Sequence, residues 1–351
     1  MGKIGIGVLS YAHGHVNAYS AEIKGFDDAE LLSVWDDNLE RGKANADNFG
    51  AAFKPHLEDV LDDPAIELVI IASETNKHAD LTVAACAAGK NVILQKPMAL
   101  SMADCDRIIE AVDRNGVWFS LAFQMRFDPA NIRMKQLIDD GSVGRVGVLR
   151  RRHCIPVLFN EAFCTGPSKW HIDPEANMGM WMDDASHATD FMYWMLGEPV
   201  SVVAEIDNIL THVAADDTGC ALYRFKNGEL GILLNSSVTW AGENTTEIYG
   251  DRGVVIQNYG DGPALTVAPP PGAVAVKYYD SQDPEKGWQD QGIAIPAGHG
   301  VRIQAVASNL IKAYKAGKPT VTAREGKVST GMILGAYRAA REGHRVELPL
   351  E

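Results

Sequence analysis

Two kinds of hydrophobic pattern alternate along the first ~120 residues. Short apolar runs are followed by longer stretches in which apolar residues recur at helical spacing. The apolar runs occupy residues 3–9, 31–35, 68–72, 91–94 and 118–122. The helical stretches end in four glycines that suit left-handed helix C-caps: Gly25, Gly50, Gly89 and Gly116. Strands alternating with helices predict βαβ units and a doubly wound parallel sheet covered by helices on both faces.

The pattern changes after residue 123. Helical spacing predicts helices over 129–141, 179–197, 301–316 and 323–342. A strand is predicted at 144–153, and residues 200–260 hold several strand-like runs separated by turn signals such as KNGE and GDRG. The sequence therefore predicts a Rossmann-type α/β domain over 1–123. A second α+β domain over 124–351 is expected to carry a large, open, mainly antiparallel sheet.

Composition narrows the function classes. The chain has 351 residues, 46% of them hydrophobic, and a formal net charge of -14. This charge argues against nucleic acids and anionic membranes as partners. No apolar run is long enough to cross a bilayer, and the N-terminal segment lacks the features of a signal peptide. The five cysteines are odd in number and lack CxxC spacing, so we expect reduced thiols and a cytoplasmic protein.

The first strand-to-helix turn is the place where a doubly wound domain binds a dinucleotide pyrophosphate. Ser10 and Ala12 stand where the first two glycines of GxGxxG are expected, and Gly14 can supply the remaining one. We therefore assign Ser10, Ala12 and His13 to a candidate cofactor loop. The same small residues also suit a plain turn, so the loop alone does not decide between the two interpretations.

An acidic pair ends the second predicted strand. A carboxylate at this position accepts hydrogen bonds from adenosine ribose hydroxyls and repels a 2′-phosphate, so Asp36 favours NAD over NADP. Asp37 adds a second negative charge, and Arg41 is assigned to the same cofactor site. The alternative role for this pair is to cap the next helix, and Asp37 is the more suitable N-cap.

Gln95-Lys96-Pro97 follows the fourth predicted strand, at the carboxyl edge where open α/β sheets bind ligands. Pro97 favours an extended conformation at Lys96. From this edge the Lys96 ammonium could hydrogen-bond a substrate hydroxyl or stabilise an alkoxide. An ordinary surface lysine in a strand-to-helix turn is the alternative.

Asp183, His187 and Asp190 recur at helical spacing in the second domain. Histidine is the usual proton carrier near neutral pH, and carboxylate neighbours orient its ring. A buried core histidine is the alternative interpretation of His187. Asp183 and His187 also have a spacing compatible with zinc or manganese, but no standard ligand motif is present, so no metal site is predicted.

Taken together, these segments closely resemble the glucose–fructose oxidoreductase/inositol dehydrogenase (Gfo/Idh/MocA) family over nearly the whole chain. Six stretches carry the resemblance: GKNVILQKPMALSMADCDRII, IASETNKHADL, FQMRFDP, WHIDPEANMGMWMDDASHATDFMYWMLG, FKNGELGILLNSSVTWAGENTTEIYGDRG and GAYRAAREGHRVEL. The resemblance implies an NAD-dependent oxidoreductase acting at a secondary alcohol or ketone of a sugar, cyclitol or glycoside. It also implies a substrate pocket between the domains and a homodimer or homotetramer formed through the open sheet.

Residue roles follow from matching positions in these motifs. The family's catalytic Lys, Asp and His fall on Lys96, Asp183 and His187, which would also bind substrate. The cofactor-contacting positions implied by the resemblance are Ser73, Asn76, His78, Gln95, Lys96 and Gln124. Arg126 matches the arginine of the family's N-x-R-F segment and is expected at the substrate.

The sequence departs from the family pattern in two places besides the glycine-poor loop. Gln95 replaces the family's Glu before the lysine, and residues 153–177 show no subgroup signature. In that stretch Trp170 could stack on a sugar, and His171, Glu161 and Asn177 could bond hydroxyls; a structural loop is the alternative. Two other functions stay open: an enzyme that recycles bound NAD for net hydrolysis, elimination or isomerisation, and a regulator that binds dinucleotide without catalysis.

Overall fold

The chain forms two compact units in the computed structural model, which describes residues 2–240 and 242–350. The first unit runs to Phe123 and also contains residues 175–177 and 303–327. The second contains residues 124–174, 178–302 and the chain from Val328 onward. The sequence predicted one uninterrupted segment for each domain. In the structure, two later segments of the chain also belong to the first unit.

The first unit is built on a six-stranded sheet with the order β3-β2-β1-β4-β5-β6, in which every pair is parallel. Its strands are β1 (Ile4–Leu9), β2 (Ala29–Trp35), β3 (Ala52–Phe53), β4 (Leu68–Ile71), β5 (Asn91–Leu94) and β6 (Phe119–Leu121). This is the strand order of a Rossmann sheet, and it places the ends of β1, β2, β4 and β5 at one edge. The two-residue β3 is too short to produce a hydrophobic pattern and was not predicted.

Helices cover this sheet as the periodicity predicts. They are α1 (His15–Ile23), α2 (Leu39–Phe49), α3 (Glu58–Leu61), α4 (His78–Ala87) and α5 (Met102–Asn115). Gly50, Gly89 and Gly116 have the positive φ angles predicted for them, whereas Gly25 does not. The prediction of Asp37 as the α2 N-cap was wrong: Asn38 caps the helix, its Oδ1 accepting from the Arg41 N–H at 3.0 Å.

The second unit contains a nine-stranded sheet with the order β14-β13-β12-β11-β7-β10-β9-β8-β15. Its strands are β7 (Val146–Cys154), β8 (Pro199–Asp207), β9 (Thr218–Phe225), β10 (Leu230–Ser236), β11 (Thr246–Gly250), β12 (Gly253–Gln257), β13 (Val276–Asp280), β14 (Trp288–Asp290) and β15 (Val346–Glu347). Among the strands that the described residues form, only β7 and β10 pair in parallel in this sheet, so it is mainly antiparallel as predicted.

The remaining helices are α6 (Pro129–Asp139), α7 (Glu161–Thr165), α8 (Pro174–Asn177), α9 (Met180–Leu196), α10 (His299–Gln304), α11 (Val306–Lys315) and α12 (Ala323–Glu342). The predicted helix over 301–316 is divided into α10 and α11 at Ala305. Residues 303–327 belong to the first unit because Leu121 N–H donates to the Val321 carbonyl at 3.0 Å, beside strand β6. Val321 and Ala323 are buried in the apolar core of that unit.

Within residues 2–240 and 242–350, none of the helices combines the length and apolar character that a membrane crossing demands.

The cysteines Cys86, Cys105 and Cys154 are buried free thiols. Burial raises the pKa of Cys86 and of Cys154 to about 11. Both thiols therefore stay protonated at neutral pH, which makes them weak nucleophiles.

Candidate functional site

The turn after β1 has the backbone shape of a dinucleotide loop even though glycines are scarce. Ser10 has a φ of 74°, a left-handed conformation that glycine usually supplies. Local hydrogen bonds offset the steric cost, since the Ser10 hydroxyl accepts from the Ala12 N–H at 3.2 Å. The His13 N–H donates to the Ala72 carbonyl at 2.9 Å, which ties the loop to the end of β4. A serine thus occupies a position where the motif expects glycine.

Asp36 lies fully buried at the end of β2 and organises this loop. Its Oδ2 accepts from the Tyr11 N–H at 2.8 Å and from Arg41 Nε at 2.8 Å. Its Oδ1 accepts from the Asn38 N–H at 2.9 Å and from a terminal nitrogen of Arg41 at 2.7 Å. Gly42 lets α2 approach closely, because a Cβ there would lie 2.7 Å from Asp36 Cβ. The carboxylate is therefore fixed by the loop backbone and covered by one arginine.

Arg41 belongs to a wider group of charges that sequence reasoning missed. Its guanidinium lies 3.2 Å from Asp37 and 3.5 Å from Glu74, and Lys77 pairs with both Asp37 and Glu74. Burial opposes ionisation of Asp37, but the hydrogen bond and charge of Lys77 outweigh it and lower the pKa of Asp37. Three carboxylates thus face two cations. The i,i+3 spacing of Glu74 and Lys77 is a feature of the sequence from which an ion pair in this group could have been predicted.

His78 is buried between the loops that follow β4 and β5. Its Nδ1 lies 2.8 Å from the Pro97 carbonyl, and its Nε2 lies 3.2 Å from the Ser73 carbonyl. Burial disfavours the charged ring and lowers the pKa of His78 to about 4, although both carbonyls favour protonation. His78 is therefore neutral at pH 7, and its single ring N–H can donate to only one of the two carbonyls. Asn76, in contrast, is exposed.

The His78 pKa makes a prediction about stability. The unfolded ring, with a pKa near 6.5, takes up a proton as the pH falls, whereas the folded ring does not until about pH 4. The free energy of unfolding should therefore fall by ~2 kcal/mol between pH 7 and pH 5 on this account. Urea unfolding of the wild type and His78→Gln at both pH values measures the difference. The exposed His56→Gln variant should behave like the wild type; equal pH dependence in all three proteins would contradict the prediction.

Gln95 and Lys96 form the turn after β5. The Gln95 Oε1 accepts from the Lys96 N–H at 2.9 Å, and its Nε2 donates to the Tyr19 hydroxyl at 3.2 Å. Lys96 is 3% exposed, and its peptide bond to Pro97 is cis. Burial raises the pKa of Tyr19, so this hydroxyl stays neutral beside Gln95. The amide that replaces the family's glutamate therefore holds the lysine backbone without adding a buried charge.

Asn177 lies in the first unit. It is fully buried, and its Oδ1 accepts from the Thr75 hydroxyl at 2.6 Å. This bond fixes residues 175–177 to the loop after β4. A contact of Asn177 with a substrate hydroxyl stays a prediction.

In the second unit, helix α9 carries most of the predicted acid–base residues. Its residues from Met180 to Met192 are all buried. The Asp183 carboxylate accepts from His171 Nδ1 at 3.0 Å. Trp170 stacks on the His171 ring with centroids 3.7 Å apart. Residues 170 and 171, predicted at the substrate, therefore lie together with Asp183.

One turn further along α9, His187 lies next to a second histidine. Its ring stacks on His153 with centroids 5.7 Å apart and an interplanar angle of 23°. His153 is on β7, where it is 4% exposed. The sequence did not predict an acid–base role for His153, which is the first residue of the stretch 153–177.

Asp190 and Arg126 form a buried ion pair. Arg126 Nε donates to Asp190 at 3.0 Å, and a terminal nitrogen donates at 2.7 Å. The guanidinium also lies 5.7 Å from the Trp194 ring centroid. Gln124 is buried in the same short 3-10 helix, Gln124–Phe127. Asp190 therefore orients Arg126, and the proposed contact of Arg126 with substrate stays a prediction.

The two units correspond to the two domains of a known protein family. The β1 loop and the charge cluster lie in the first domain, and the α9 cluster lies in the second. Residues 1–123 match the family model described as "Oxidoreductase family, NAD-binding Rossmann fold". Residues 132–256 match the model described as "GFO/IDH/MocA C-terminal domain". The two matches follow the same order along the chain as the two predicted domains.

Two named relatives and a solved structure are similar to this chain over most of its length. Myo-inositol 2-dehydrogenase of Thermotoga maritima is 29% identical over 264 residues, covering 72% of this chain and 73% of the relative. Levoglucosan dehydrogenase of Pseudarthrobacter phenanthrenivorans is 28% identical over 301 residues, covering 76% and 75%. A solved levoglucosan dehydrogenase in complex with NADH and levoglucosan shares the fold, with a TM-score of 0.83 and 21% identity over 99% of both chains. The chain belongs to the GFO/IDH/MocA family of oxidoreductases with an NAD-binding Rossmann domain.

Proposed function

We propose that this protein is an NAD-dependent dehydrogenase or reductase acting at a secondary alcohol or ketone of a sugar, cyclitol or glycoside. The observation that carries the proposal is the buried polar cluster on α9, where Asp183 bonds His171 and His187 lies one turn away. Buried polar groups need hydrogen-bond partners, and clusters of buried titratable groups such as this one are concentrated at functional sites. The names of the relatives, a myo-inositol and a levoglucosan dehydrogenase, support the substrate class.

The first unit fits a dinucleotide. Ser10 gives the β1 loop the left-handed turn that brings backbone close to a pyrophosphate, and Asp36 closes β2 with a carboxylate. The preference for NAD over NADP rests on charge. Arg41 and Lys77 are already paired with Asp36, Asp37 and Glu74, so the group has an excess of negative charge that opposes a 2′-phosphate.

The side-chain roles follow from the proton chemistry of alcohol oxidation. NAD, when bound, supplies the hydride acceptor. We assign His187 as the base that takes the hydroxyl proton and Lys96 as the cation that stabilises the developing oxyanion. Asp183 would hold a substrate hydroxyl or an imidazole, and its bond to His171 fixes the carboxylate in one orientation.

A substrate panel tests the proposal. Incubation with NAD and a series of cyclitols, anhydrosugars and sugars should produce the absorbance of reduced nicotinamide with at least one compound. NADP should be used less well than NAD. Failure of the whole panel, despite calorimetric evidence of NAD binding, would contradict the proposed activity.

We also propose a homodimer or homotetramer formed through the outer face of the nine-stranded sheet. Leu222, Ile232, Tyr249 and Trp288 are exposed on that face. Exposed apolar patches of this kind are typical of protein interfaces. Light scattering should give a mass above 38.0 kDa, and a monomer at micromolar concentration would exclude the assembly. The buried free thiols support a reducing, cytoplasmic location.

A further inference from the structure

Three consecutive arginines, Arg150, Arg151 and Arg152, lie on β7, and the middle one differs from its neighbours. Strand side chains alternate between faces, so Arg151 lies with Leu149 and His153 on the inner face of the sheet. Arg151 is 0% exposed, whereas Arg150 and Arg152 are only partly buried. A fully buried arginine needs compensating partners, and their identity indicates its role.

Neighbouring strands supply those partners. One terminal nitrogen of Arg151 donates to the Thr246 hydroxyl at 2.8 Å and to Gln257 Oε1 at 3.2 Å. The other lies 2.7 Å from the buried Asp261 carboxylate and 3.3 Å from His153 Nδ1. The guanidinium is thus fixed by three residues and reaches the histidine that stacks on His187.

The contact between Arg151 and His153 determines the protonation state of the histidine. A guanidinium has only N–H donors, so His153 Nδ1 must be the acceptor. A neutral imidazole has one nitrogen with a free lone pair and one that carries hydrogen. The proton of His153 therefore resides on Nε2. A second proton would create an imidazolium beside a buried cation, which like-charge repulsion opposes.

We propose that Arg151 is a positioning residue that locks His153 in the neutral Nε2–H form. The Nδ1 lone pair is then engaged by Arg151, and Nε2 already carries hydrogen. His153 consequently has no site to accept a proton, and His187 is the only ring of the stacked pair that can act as a base. The inference rests on the proposed function only for this last consequence.

Nitrogen-15 NMR of histidine-labelled protein tests the tautomer directly. The His153 signals are identified by their loss in His153→Gln, and the wild type should show a protonated Nε2 and an unprotonated Nδ1. Removing the donor should allow His153 to exchange between tautomers. Because Arg151→Met leaves Asp261 without its cation, it is combined with Asp261→Asn to remove the buried charge.

Two further variants keep the test decisive. Arg151→Lys retains a cation for Asp261 and should therefore fold even if the double variant does not. Its single ammonium pairs with Asp261, so His153 should lose its donor in this variant as well. Arg150→Met is the matched control, because Arg150 is on the opposite face and pairs with Glu247 at 2.6 Å. It should leave the His153 tautomer unchanged. An Nδ1–H or doubly protonated His153 in the wild type, or an unchanged tautomer in both Arg151 variants, would overturn the proposal.

Kinetics separate this inference from the proposed function. The double variant should lower kcat about tenfold, because the released lone pair of His153 competes with His187 for the substrate proton. NAD affinity should stay within twofold of the wild type. The NMR result requires no substrate, so a locked tautomer in a protein without turnover contradicts the proposed function alone. A tautomer that is not locked in an active enzyme contradicts the role of Arg151 alone.

Discussion

Replacing Lys96 with methionine is expected to lower kcat by about 10³-fold while NAD binding changes little. Methionine keeps most of the apolar stem but has no N–H donor for a developing oxyanion. The turn should keep its structure, because the hydrogen bond to Gln95 Oε1 comes from the backbone N–H of residue 96 and does not involve the lysine side chain. Steady-state kinetics with the best substrate and calorimetry with NAD measure the two effects separately.

Lys90 provides a matched control from the other end of β5. It is also buried, but its ammonium donates to the carbonyls of Asp63 and Ile66, both at 2.7 Å. Lys90→Met should reduce stability, because those carbonyls lose their partner, and leave kcat of the folded enzyme near that of the wild type. Equal losses of kcat in the two variants would show that Lys96 matters for folding rather than chemistry.

The elements that could be predicted from the sequence have strong local patterns. The runs that became β1, β4 and β5 are almost entirely apolar because helices cover both sheet faces. Helix α9 was also evident, although it is buried on nearly all sides. Its polar residues at i, i+4 and i+7 indicated a candidate site because such groups are expensive to bury.

The elements that were missed depend on distant parts of the chain. Residues 303–327 belong to the first unit through the bond between Leu121 and Val321, and such pairing leaves no local pattern. Strands β13, β14 and β15 were not predicted, because they are short or half-exposed. Asn38 rather than Asp37 caps α2, and Asp37 pairs instead with Arg41 and Lys77.

The same contrast between local motifs and distant contacts applies to the candidate site. Lys96, Asp183 and His187 could be named because their motifs are local. The burial of Arg151 could not be read from three successive arginines, since charged residues are usually expected at the surface. It becomes intelligible only when Thr246, Gln257 and Asp261 from other segments are seen around it. Likewise, the cover that Arg41 forms over Asp36 required the folded β2–α2 turn.

The Asp36→Asn variant is expected to change the cofactor preference. The amide keeps the shape of the side chain but loses the charge that pairs with Arg41 at 2.7 Å and receives the Tyr11 N–H at 2.8 Å. A charge-assisted hydrogen bond from a ribose hydroxyl of NAD to this carboxylate would contribute about 1.5–3 kcal/mol. The ratio of kcat/KM for NAD to that for NADP should therefore fall by about 100-fold.

Two effects combine in this expected change. The Asp36→Asn variant replaces a charged acceptor for ribose hydroxyls with a weaker, neutral one, and it releases the Arg41 fork, which suits an anionic 2′-phosphate. Adding Arg41→Met should remove the gain with NADP but not restore activity with NAD. The exposed Asp47 on the same helix is the control, and Asp47→Asn should keep the wild-type ratio. An unchanged ratio in Asp36→Asn would mean that this carboxylate only builds the loop, and that Asp37 and Glu74 set the preference.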